Sequence, residues 1–67
     1  MKKDVEEVIE ASKTALEKAG FSWFVIDSVT PHEQKKQWVV VAVTGLSEKK
    51  TKTLVIDDET GRLLEFK

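Results

Sequence analysis

Cysteine is absent from this chain, and proline, methionine and histidine each occur once. Without cysteine the chain has neither a disulfide nor a thiolate metal site, so side-chain packing alone must hold the fold together. The three glycines, Gly20, Gly45 and Gly61, are isolated, which excludes a glycine-rich phosphate loop. No run of apolar residues is close to the length of a membrane span, which is about 20 residues. The N-terminal segment is amphipathic and acidic, unlike a signal peptide. These features predict a cytoplasmic protein that does not act on membranes, unless a natural signal has been removed.

Neither sign of charge dominates, because 11 Lys+Arg stand against 12 Asp+Glu and the formal net charge is −1. Nucleic-acid-binding domains are usually basic, so this balance argues against a nucleic-acid partner. The lysines near the central strand fall in two connections at opposite ends of the predicted sheet: Lys35, Lys36, Lys49, Lys50 and Lys52. Stacking of single-stranded nucleic acid on the two tryptophans therefore remains a minor alternative. Charged residues at 34% and a single proline favour a thermophilic protein.

The 67 residues form one domain, with no internal repeat or linker. Apolar residues recur at helical spacing over residues 4–19; Asp4 and Glu7 fit a capping-box-like start, and Gly20 fits the end. Four β-rich segments follow, at about 23–30, 37–44, 53–57 and 63–67, and the second, QWVVVAVT, is the central strand. The sequence predicts an α+β fold, with one N-terminal helix on one face of a three- to four-stranded antiparallel meander (α-β-β-β-β).

Strand registers follow from the requirement that apolar side chains share one face. A hairpin that pairs Thr30 with Gln37 and a second that pairs Thr44 with Thr53 satisfy this requirement together. The side chains then expected to face the helix are Phe24, Ile26, Val39, Val41, Val43, Leu54, Ile56, Leu64 and Phe66.

The opposite face keeps apolar side chains on the first two strands, where an antiparallel sheet normally shows polar ones to water. One helix covers only one side of the sheet, so this patch is expected to be exposed. Exposed apolar patches of more than a few hundred Å² usually mark interaction surfaces. The predicted interaction surface consists of Trp23, Val25, Val29, Trp38 and Val40. A bulge or the connection after the central strand is the alternative that would cover it.

Candidate groups for chemistry are few. His32 lies beside Glu33 in a polar turn, with no evident Ser or Cys nucleophile. Asp57, Asp58 and Glu59 are consecutive acids, but hard-cation loops space their oxygen ligands, and aspartate is a good turn former. We expect no enzyme activity, no metal site and no cofactor.

Residues 54–64, LVIDDETGRLL, resemble the v-x-v-D-x-x-T-G-x-v-l ending of PepSY-like domains. The helix with Ala15 and Ala19 and the strand that begins at Trp38 are similar in order, so the resemblance covers nearly the whole chain. Such domains are small helix-and-sheet modules of peptidase propeptides and envelope proteins. A weaker resemblance is to the gas-vesicle accessory protein O family, which has a tryptophan opening its central strand and a similar acid-glycine hairpin.

The PepSY-like resemblance implies an inhibitory or protein-binding role. The leading hypothesis is a non-enzymatic protein-binding or regulatory module that binds through the outer sheet face. Its partner is another protein or a second copy of the chain, which would make a homodimer. The alternative is a peptidase-inhibiting or propeptide-like module.

Overall fold

The computed structural model describes residues 2–45 and 47–67, and these form one α-helix followed by four strands. The elements are α1 (Val5–Lys18), β1 (Phe24–His32), β2 (Gln37–Thr44), β3 (Lys50–Asp57) and β4 (Leu63–Phe66), with a short 3-10 turn at Glu33–Lys35. The strands form one antiparallel sheet in chain order, and α1 packs on one of its faces. The predicted α-β-β-β-β meander is confirmed.

Both ends of α1 have the predicted signals. The Asp4 side chain caps the helix by accepting a hydrogen bond of 2.8 Å from the Glu7 amide. At the other end Gly20 adopts a left-handed φ of 95°, and the Phe21 amide donates to the Leu16 carbonyl at 3.1 Å. This hydrogen bond is that of a Schellman motif, so Phe21 turns back and packs against the core.

The core lies between α1 and the central strands. Its buried apolar side chains are Val8, Leu16, Trp38, Val40, Ala42, Leu54 and Ile56. Ser12 is buried on the same side of the helix and donates its hydroxyl hydrogen to the Val8 carbonyl at 2.8 Å. Among the described residues, no buried side-chain nitrogen or oxygen lacks a hydrogen-bond partner.

The predicted face of β2 is wrong. Leu54 lies opposite Val40 rather than Val43, so the register between β2 and β3 is shifted by three residues from the prediction. Because strand side chains alternate, an odd shift moves every side chain of β2 to the other face. Trp38 and Val40 therefore lie in the core with 5% and 0% of their surface exposed, and Val41 and Val43 face outward.

The start of β3 explains this shift. The polar segment that begins at Lys50 is the first part of the strand, which starts three residues before the predicted Thr53. Lys52 points to the helix side, where its Nζ lies 5.9 Å from the centroid of the Phe21 ring. The ring and the lysine make a cation–π contact, which lets a charged residue occupy the margin of an apolar face.

A β-bulge in β1 accounts for a second correction. The register with β2 shifts between Ile26 and Ser28, at Asp27. The extra residue allows Ile26 and Val29, three positions apart, to pack against the core together. Val29 was expected on the outer face. The strand also continues through Pro31, where the prediction ended it, because an edge strand tolerates a proline.

A second bulge, between β3 and β4, affects the last strand. Leu54 pairs with Phe66 and Ile56 pairs with Leu63, with a register shift between Val55 and Ile56. Phe66 packs against the core, whereas Leu64 is 48% exposed and lines a depression on the outer side. The prediction that Leu64 faces the helix is therefore wrong.

Within residues 2–45 and 47–67, no helix is long and apolar enough to cross a membrane.

Candidate interaction surface

The sheet face opposite α1 carries five valines from three adjacent strands. We call this set the valine face; its members are Val25, Val39, Val41, Val43 and Val55. Val25 is 51% exposed, and the other four are half-buried against their neighbours in the sheet. In the part of the chain that the structure describes, the only α-helix packs on the other side of the sheet. The valine face is therefore open to water or to a partner.

The surroundings of the valine face are polar but uncharged over most of its area. The hydroxyl side chains paired with these valines across the strands are Ser28, Thr30, Thr51 and Thr53. Charge appears at two margins. On β4, Glu65 pairs with Val55 and its carboxylate lies 3.6 Å from the Lys67 ammonium. At the Gln37 end of the face lie Asp57 and Lys35. This pattern, an apolar centre with a polar rim, is the usual anatomy of a protein interface.

A shallow depression of about 390 Å³ lies beside β4 at one end of the valine face. Its apolar lining comes from Val39, Val55 and Leu64. Its polar lining comes from His32, Lys35, Gln37 and Glu65. Most of the exposed lining is polar, so the depression belongs to the polar rim of the valine face.

The five residues predicted to form the interaction surface do not lie together. Trp23 and Val25 are exposed, at 37% and 51%, and Val25 belongs to the valine face. Trp38, Val40 and Val29 pack in the core on the helix side. The outer face has an apolar centre, but most of its side chains come from the valines that the prediction assigned to the helix-covered side.

The two edges of the sheet have features that oppose the addition of another strand. β1 carries the Asp27 bulge and Pro31, and β4 is only four residues long. Bulges, prolines and short edge strands are the devices by which proteins block edge-to-edge pairing. The open surface of the sheet is therefore its face rather than its edge.

Asp58 forms a polar centre at the end of the core that the sequence analysis missed. Its carboxylate accepts hydrogen bonds from the Trp38 indole at 2.7 Å, the Lys2 amide at 2.7 Å and the Lys3 amide at 3.0 Å. The Asp58 amide donates to the Lys36 carbonyl at 3.0 Å. The carboxylate thus fixes residues 2 and 3 over the end of the sheet. A buried tryptophan needs an acceptor for its indole N–H, and this need is the signal that points to Asp58.

The two adjacent aspartates have separate structural roles. Burial raises the pKa of Asp58, but the hydrogen bonds from Lys2, Trp38 and Lys3 outweigh burial and lower the pKa to about 2. The Thr60 hydroxyl and amide each donate to the Asp57 carboxylate at 2.8 Å and lower its pKa. Asp57 thus stabilises the β3–β4 turn, the role expected of aspartate there.

The remaining candidates for chemistry are separate from one another. His32 is exposed at the end of β1, and Glu59 is exposed in the β3–β4 turn. Among the described residues, no group of three His, Cys, Asp or Glu side chains is arranged to hold a metal ion.

Comparisons of the chain with protein-family models, with curated proteins and with solved structures give no match. The resemblances to PepSY-like domains and to the gas-vesicle accessory protein O family stay predictions.

Proposed function

We propose that this chain is a non-enzymatic protein-binding module whose binding surface is the valine face. The observation that carries the proposal is the open row of valines on β2 and β3, opposite the helix-covered side. An antiparallel sheet with one covered face usually presents polar side chains on the other. Valines in place of such polar side chains raise the solvation cost of leaving the face open, and a bound protein removes that cost.

The buried polar groups are occupied by hydrogen bonds within the fold, which supports a binding role over a catalytic one. The Asp58 carboxylate is held ionised by three donors, and a low pKa makes it a poor general base. The Ser12 hydroxyl is buried and donates to a carbonyl of its own helix. These groups stabilise the fold and are not free to act on a substrate.

The proposal is tested by capture of proteins from a native lysate on the immobilised chain. Val41 lies at the centre of the valine face, between Ser28 and Thr53, so Val41→Lys places a charge where a partner would exclude water. We expect the Val41→Lys variant to capture at least about tenfold less of the specific partner, as is typical of a hot-spot position. The same loss is expected when the partner is a second copy of the chain added to the lysate.

The matched control is Val5→Lys. Val5 is 48% exposed on α1, which packs on the opposite side of the sheet from the valine face, and the substitution adds the same charge to the same residue type. Capture by this variant should equal that of the wild type. If Val41→Lys captures the same proteins as Val5→Lys does, the valine face is not the binding surface.

A further inference from the structure

We infer that the occupant of the valine face is a second copy of this chain, packed face to face with the first. This inference rests on the proposed function of the valine face and names its partner. Two sheets packed in this way stand about 10 Å apart, with side chains from the two inner faces in contact. The resulting dimer is a sandwich of four layers, with a helix on each outside.

The size of the face fits such a dimer. β2 and β3 each have eight residues, which gives a length of about 26 Å at the usual strand rise. Four strands at the usual spacing span about 19 Å, so the projected area of the whole outer sheet face, which has the valine face at its centre, is about 450 Å² once the shorter β4 is considered. Accessible surface exceeds projected area, so two copies reach the roughly 1,000 Å² at which specific interfaces begin.

The charge of the chain permits two identical faces to meet. The formal net charge is −1, so long-range repulsion between copies is weak. Around Val41 and Val43 the neighbours are serine and threonine, so self-pairing brings no like charges together at the centre. At the β4 margin the charge of Glu65 is balanced by Lys67 at 3.6 Å. A two-fold interface requires this self-complementarity.

The shape of the face also favours a sheet as its partner. Both copies have the same strand twist, so their faces match when the strands cross at about 30°. The bulge and Pro31 in β1 and the shortness of β4 oppose a continuous intermolecular sheet, so a second copy is directed to the face.

The test is the molar mass of the purified chain by light scattering, from micromolar to millimolar concentration, without any other protein present. We expect the mass to rise to twice the 7.6 kDa of the chain. Val41→Lys should stay monomeric, with dimerisation weakened at least about 100-fold, because the two-fold axis places the introduced charge in the interface twice. Val5→Lys should dimerise like the wild type.

Circular dichroism establishes whether Val41→Lys is folded. If it is not, Thr53→Lys replaces it in the molar-mass measurement. Thr53 pairs with Val41 on the same face and is already polar, so a lysine there disturbs the fold less. A wild-type chain that is monomeric at every concentration overturns the inference. A dimer that survives the folded lysine variant also overturns it. In either case the lysate experiment still decides whether the valine face binds another protein.

Discussion

Asp58 and Trp38 stabilise each other across twenty residues of chain. The indole lies in the core with its N–H directed to the carboxylate at 2.7 Å, and the carboxylate also accepts from two backbone amides. A buried carboxylate without these donors would be strongly destabilising, and a buried indole without an acceptor would lose its hydrogen bond. The contact therefore makes the start of the chain, β2 and the β3–β4 turn depend on one another.

The pH dependence of stability is the first prediction at this scale. The pKa of Asp58 is lowered from 3.8 to about 2 in the folded chain, so the unfolded chain binds the proton more readily. The stabilisation by ionised Asp58 is therefore fully present above about pH 4 and is lost as the pH falls towards 2. Thermal unfolding followed by circular dichroism should show Tm falling across this window.

Asp58→Asn should lower Tm by several degrees at neutral pH and flatten its dependence on pH between 4 and 2. In this variant an amide NH₂ group replaces one carboxylate oxygen. This group donates hydrogen bonds, so it cannot accept one from the N–H of Lys2, Lys3 or Trp38. Some acid dependence should remain, because the pKa of Asp57 is lowered as well. Glu59→Gln removes a charge from the exposed neighbour and should retain the wild-type profile. An unchanged profile in Asp58→Asn would contradict the role of Asp58.

Trp38→Ala should primarily damage the fold. Trp38 is 5% exposed, and truncation of a buried tryptophan lowers the free energy of unfolding by about 3–5 kcal/mol. A domain of this size has about 3–5 kcal/mol in total, so the variant should be largely unfolded at room temperature. Trp23→Ala, at a tryptophan that is 37% exposed, should change the free energy of unfolding by about 0.5 kcal/mol in urea titrations. Equal losses in the two variants would contradict the assignment of Trp38 to the core.

At the scale of the element, two glycines of similar backbone conformation should respond differently to alanine. Gly20 and Gly45 have φ values of 95° and 89°, so an alanine at either position is destabilised by about 1 kcal/mol in this left-handed backbone conformation. An added Cβ at Gly20 meets no atom within 4 Å, whereas one at Gly45 would overlap the Glu48 carbonyl oxygen. Gly45→Ala should therefore destabilise the chain by at least about 2 kcal/mol in urea unfolding. If both variants lose the same free energy, the β2–β3 turn adjusts without cost.

The order of the elements was predictable because each has a strong local signal. The Asp4 cap, the Schellman end at Gly20 and the β-branched content of the strands depend on neighbouring residues only, and all three are confirmed. The face of β2 was not predictable from its own sequence. Both of its faces are apolar, so alternation along QWVVVAVT cannot distinguish the core side from the outer side.

Only the residues that pair with β2 could show which of its faces is buried, and the lysines at the start of β3 made those residues look like a loop. Lys50 and Lys52 read as loop residues, although the strand that contains them pairs with the end of β2. The long side chain of Lys52 reaches the Phe21 ring just after the helix, so this residue fits at the margin of the helix-covered face. The valine face was missed for the same reason, since its position depends on the register of β2.

At the scale of the whole molecule, the one helix within residues 2–45 and 47–67 covers one side of a sheet whose other side has an apolar centre. A 67-residue domain buries only about 60% of its unfolded surface, so its core gives a small margin of stability. Burial of the valine face against a second copy would enlarge the apolar interior without lengthening the chain. Folding and association would then be linked, because a partner that binds only the folded state stabilises it.

This linkage predicts that Tm depends on the concentration of the chain. Once the folded dimer predominates and unfolds to two unfolded chains, each tenfold rise in concentration adds about 1.4 kcal/mol per dimer to the apparent free energy of unfolding. Calorimetry from micromolar to millimolar concentration should show Tm rising steadily for the wild type and for Val5→Lys. Val41→Lys should have one Tm throughout, close to that of the wild type at its lowest concentration. A constant Tm for the wild type would show that the valine face does not couple association to folding.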